Sequence, residues 1–98
     1  MSGNDVRLSG RVLHRETLRH TPAGVPVVVL TLRHESDQLE GGMRRQVGFE
    51  LEAIALGEVA RRMDSVPAGS AVRITGFLAS RSKLSSRVVL HINEFEIE

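Results

Sequence analysis

Cysteine, tryptophan and tyrosine are absent from this 98-residue chain, and phenylalanine occurs three times. Without a thiol, disulfides, thiolate metal sites and thiol catalysis are excluded together. No apolar run approaches the roughly 20 residues needed to cross a bilayer. The opening MSGNDVRLSG has no basic segment leading into an apolar stretch, so the expected location is the cytoplasm. Charge of one sign is also scarce: the formal net charge is +1, too small to mark a nucleic-acid binder by its total. What is present is the mix of an ordinary globular protein, 41% apolar and 26% charged, at a length that makes residues 1–98 one domain.

Five segments carry strand signals and one reads as helical. Val6 to Arg15 alternates Val6, Leu8, Gly10 and Val12 with Arg7, Ser9 and Arg11, which puts one face on a core and the other in water. Thr21-Pro22-Ala23-Gly24 is a turn sequence: proline presets φ and glycine accepts a positive one. Val27 to His34 is apolar at Val28, Leu30 and Leu32 and also at Val27 and Val29, so something besides the barrel core should cover the second face. The polar stretch Glu35 to Met43 reads as a long, mobile hairpin loop. Arg44 to Ala55 is the third strand, with Val47, Phe49 and Leu51 on one phase.

Gly57 to Asp64 is the helical candidate, with Val59 and Met63 able to pack down. After the turn Val66-Pro67-Ala68-Gly69-Ser70 come the fourth strand, Ala71 to Arg81, and the fifth, Arg87 to Ile97. In the last strand Phe95 and Ile97 continue the phase of Leu90 and Ile92 only if it slips by one residue near Asn93-Glu94, which is what a β-bulge does. Three strands, a short helix and two strands fit an all-β, five-stranded OB-fold, a Greek-key barrel whose helix sits between strands three and four.

An OB-fold takes ligands on strands two and three, between the loops joining strands one to two and four to five. Arg19 and His20 lie in the first of those loops and Arg81, Lys83 and Arg87 in the last, while Arg33, His34, Met43, Arg44 and Arg45 border the long hairpin. From Ser65 through Asn93 no acidic residue occurs, so this is expected to form an arginine-rich rim for a phosphate backbone. Twelve of the thirteen basic residues are arginine, which can both fork onto phosphate and stack on a base. Phe49 and Phe95 fall on the inward phase and read as core; Phe77 shares its phase with Arg73 and Thr75 and is equally placed to stack on a base or to cover a partner surface.

His14, His20, His34 and His91 lack the paired spacing of a metal site and read as solvated or rim residues. Glu50 and Glu52 share a strand face, but no third ligand accompanies them, and no GxSxG, P-loop, HExxH or GxGxxG pattern occurs. A non-catalytic protein with no cofactor and no metal is expected. The residues leave three classes open: a single-stranded nucleic-acid binder, an interaction barrel with little DNA affinity and, least favoured, a barrel nuclease.

The segments Val6-Arg7-Leu8-Ser9-Gly10-Arg11-Val12, Thr21 to Pro26, Leu30-Thr31-Leu32-Arg33-His34, Arg44-Arg45-Gln46, Gly69 to Phe77 and Val89-Leu90-His91 resemble the primosomal replication protein N (PriB) family, an OB-fold branch of the single-stranded DNA-binding proteins. The resemblance runs over nearly the whole chain. It implies a homodimer, its subunits joining their sheets at Val27 and Val29, that binds single-stranded DNA and scaffolds the PriA helicase and DnaT during replication restart; a general single-stranded DNA-binding protein is the other nucleic-acid reading. The chain departs from the family pattern at Met43 and Gly48, where aromatic stacking residues can stand, and in a shorter last loop with one lysine.

Overall fold

The computed structural model describes residues 2–98. Strands β1 (Val6–Arg15), β2 (Arg19–His20), β3 (Pro26–Glu40) and β4 (Met43–Leu56) are followed by helix α1 (Glu58–Met63) and strands β5 (Ala71–Ser80) and β6 (Val88–Ile97). They form one sheet in the order β1-β5-β6-β4-β3-β2, and an additional β1–β3 pairing closes it into a barrel. The two-residue β2 flanks β3 outside the barrel, so the barrel itself has five strands with the helix between its third and fourth. This is the expected OB arrangement.

Closure depends on β1 serving two neighbours. Its first half pairs with β5 and its second half with β3, and an extra residue, Leu13, lies at the register shift between Val12 and His14. A bulge of this kind bends a strand and increases its twist, which lets one strand turn a barrel corner. The slip expected in the last strand is also present: Thr75 pairs with Glu94 and Gly76 with Ile92, leaving Asn93 as the extra residue. There Gly76 is sterically required, since a Cβ would lie 1.9 Å from the His91 carbonyl oxygen.

The alternating positions meet inside. Val12, Val28, Leu30, Leu32, Ala53, Ala55, Val72, Ile74, Leu90, Ile92 and Phe95 form one buried cluster. Helix α1 closes one end of it with Ala60 and Met63, both fully buried, and with Val59 packed alongside. Arg15 secures the helix end, its Nη1 3.0 Å from Asp64 Oδ1 and its Nε donating to the Val66 carbonyl at 3.1 Å.

Three expectations are corrected. Glu35 to Met43 is not a mobile loop: β3 and β4 stay paired out to Glu40 and Met43, making a two-stranded arm closed by Gly41-Gly42 alone. Both glycines have positive φ, 60° and 80°, as a two-residue hairpin of this hand requires. The arm escaped periodicity because neither face is buried. Phe49 is not core but 37% exposed, since β4 has left the barrel by that point, and the His34 ring lies 5.0 Å from it. Val27 is already buried within the single chain, 4% exposed, so it has little surface left to offer a second subunit.

Candidate nucleic-acid interface

The outward phases of β3, β4, β6 and β5 are set by register. Val29 pairs with Ile54, Ile54 with His91, and His91 with Phe77, so these four side chains cross the outer surface in one row. Phe77 and His91 lie almost parallel, with ring centroids 4.9 Å apart at 11°, a stacked pair. A groove opens beside them, lined by Val29, Ile54, Val89 and His91 with Arg19, Glu16, Glu52 and Arg81 around them. An apolar hollow continues on the other side of His91 over Leu56, Val59 and Phe77. The histidine is therefore the wall shared by two hollows, not an isolated rim residue.

The loop after β5 stands at the rim. Arg81 N–H donates to the Arg87 carbonyl at 2.9 Å and Ser85 N–H to the Ser82 carbonyl at 3.2 Å, which closes the loop on itself and turns Lys83 and Leu84 outward. Among the described residues neither Lys83 nor Arg87 has a carboxylate within ion-pair distance.

The other residues expected at the site are divided by the structure. Arg33 lies on the outer face of the arm, its guanidinium across Gly48, where a Cβ would lie 2.6 Å from Nη2. The glycine thus lets an arginine lie flat on the sheet in the space a side chain would fill. Arg44 is on the same outer phase, opposite Leu39. His34, Met43 and Arg45 occupy the opposite phase, so the expected continuous rim is split between two sides of the arm. His34 is further committed by Nδ1 to the Ser9 carbonyl at 2.6 Å and by Nε2 to Ser36 Oγ at 2.8 Å.

Nor are the arginines uniformly free. Arg19 faces Glu16 at 3.8 Å, Arg33 faces Glu35 at 3.7 Å, Arg45 faces Glu40 at 2.9 Å and Arg81 faces Glu52 at 3.6 Å. Exposed pairs of this kind contribute only about 0–1 kcal/mol, so a phosphate can displace the carboxylate at little cost. Glu50 and Glu52, the two carboxylates of the nuclease reading, share the outer phase of β4, and Glu52 lies 3.6 Å from Arg81.

Away from the groove, Arg62 holds Glu94 through a hydrogen-bonded ion pair and lies over the Phe95 ring at 4.7 Å. That side-chain contact, followed by the Phe95 N–H donating to the same carboxylate, keeps the Glu94 carboxyl below its ordinary range. Its neighbourhood, β1 with Arg7 and Ser9 and β5 with Arg73 and Thr75, is a second and more mixed surface.

Barrel topology and a groove between two loops define an OB-type binding protein. Residues 4–94 match the model of a family described as another single-strand binding protein family. Replication restart protein PriB of Nitrosomonas europaea is 40% identical over 94 residues, covering 96% of this chain and 87% of that protein. PriB of Bordetella pertussis is 42% identical over 91 residues, covering 93% and 85%. The solved structure of PriB from Ralstonia solanacearum superposes with a TM-score of 0.91 at 34% identity, covering 99% of both chains. The single-stranded DNA binding protein of Thermus aquaticus shares the fold, with a TM-score of 0.77 at 22% identity over 97% of this chain and 50% of that one. The chain belongs to this single-strand binding family and, within it, to the replication restart protein PriB family.

Proposed function

We propose that the chain binds single-stranded DNA without acting on it chemically, and that it serves in this way during replication restart and primosome assembly. The strand crosses the outer face of β3, β4 and β6 between the β1–β3 connection and the β5–β6 loop. Phosphates meet Arg19, Arg81, Lys83 and Arg87, and a base rests against the Phe77–His91 pair. The observation that carries the reading is the groove itself: an apolar floor of Val29, Ile54 and Val89 edged by arginines whose carboxylate partners are weakly held. Arg33 and Arg44 extend the path along the outer face of the arm.

The finer part of the proposal is that the protein works as a cytoplasmic homodimer and is a scaffold for PriA helicase and DnaT-like proteins. Two linked grooves raise the effective concentration of the second site on one long strand. Val29 contributes to the groove floor in this scheme.

The interaction-barrel alternative has one observation in its favour: four arginines near the groove and arm are paired with carboxylates. Fluorescence anisotropy of a labelled oligo-dT of about 30 nucleotides, titrated at several salt concentrations, separates the two. Binding whose log affinity falls linearly with log salt is expected. No binding at low salt would leave the interaction barrel in its place.

A further inference from the structure

The described part of the chain displays one large apolar side chain with no cover at all: Leu84 is 101% exposed. Single exposed leucines are common on protein surfaces and need no explanation. This one is held out by construction, because Ser82 and Ser85 close a turn across Lys83 and Leu84 and the Arg87 N–H is fixed by Ser85 Oγ at 3.0 Å. Its chain neighbours are serines and a lysine, so along the loop it stands as a single apolar side chain among polar ones. The tip of the arm repeats the pairing: Leu39, 76% exposed, stands directly opposite Arg44 on the outer phase.

An unpaired polynucleotide alternates an anionic phosphate with a flat, largely apolar base. A cation beside an uncovered aliphatic side chain matches that alternation. With only Phe77 and His91 presenting rings along the groove, this chain has a shortage of stacking surface that aliphatic contacts can offset. Resting on the single-strand reading above, we infer that Leu84 and Leu39 are base-contacting residues, each placed beside the cation that takes the neighbouring phosphate, Lys83 and Arg44.

Charge and apolar contact leave different signatures. Losing a phosphate contact lowers the salt slope, whereas losing an apolar contact lowers affinity equally at every salt concentration. Leu84→Ser is expected to weaken oligo-dT binding about tenfold, what burying roughly half a leucine side chain provides, with the salt slope unchanged. Leu39→Ser should act in the same direction, and Leu84→Phe should tighten binding, again without moving the slope. Both leucines are uncovered, so the variants should melt with the wild type. Unchanged affinity in Leu84→Ser and Leu39→Ser while the wild type binds would overturn the inference, as would a loss that came with a lower slope. A wild type that does not bind would bring down the single-strand reading beneath it.

Discussion

The barrel and its two projections are built on opposite terms. Inside the barrel Val12, Val28, Leu30, Leu32, Val72, Ile74 and Leu90 are buried and register is enforced by bulges at Leu13 and Asn93. In the arm from His34 to Phe49 and the loop from Arg81 to Arg87, side chains are exposed and charges pair loosely. Burial supplies most folding stability, whereas exposed ion pairs supply little. Stability and ligand contact are consequently carried by different residues, and substitutions should move one without the other.

The sharpest way to break that comparison lies at the β5–β6 bulge. Gly76→Ala drives a Cβ into the His91 carbonyl, and urea unfolding should show a loss of about 3 kcal/mol or more, at the severe end for single substitutions. Leu30→Ala, which empties a site 1% exposed, should cost about 2–5 kcal/mol and leave the salt slope of binding intact in the folded fraction. Replacing Arg81, Lys83 and Arg87 together by alanine should do the reverse. The slope should fall by about 2, from roughly 0.7 for each of three phosphate contacts, with no change in the melting temperature. A melting shift of several degrees there would mean that the loop is part of the scaffold.

Smaller effects sharpen the picture. Glu52→Gln releases Arg81 from its carboxylate and should tighten oligo-dT binding by about 0.5–1 kcal/mol, visible in anisotropy at constant salt. The smallest effect is expected from acid. Glu94 has its pKa lowered by Arg62, so its contribution to stability is present above the ordinary carboxyl value of 4.5 and is lost as pH falls through the lowered value. Glu94→Gln should remove that part of the acid dependence in thermal melts while leaving DNA binding unchanged.

Much of the barrel was legible before any coordinates. Val6 to Val12, Val28 to Leu32 and the slip at Asn93 are period-two patterns created by one buried face, and one buried face is what the sequence records. Glu35 to Glu40 is equally regular strand, yet it reads as loop because both its faces meet water. Phe49 was misplaced for the related reason that its phase continues past the point where the barrel ends. The candidate site was legible as a set of cations but not as an arrangement. Alternation assigns Arg44 and Arg45 to opposite faces only once the arm is known to be strand, and the Phe77–His91 stack depends on a register that runs through a bulge.

Composition and periodicity alone determined the fold class, the helix between the third and fourth barrel strands, and the acid-free loop from Arg81 to Arg87. These follow from local hydrophobic patterning and local charge, which a linear chain displays directly. Tertiary structure alone decided which cations face carboxylates, that His91 is a stacking wall and that Leu84 stands uncovered. Such facts are relations between residues distant in the chain, or between a residue and solvent, and they come into being only when strands take up a register and the barrel closes.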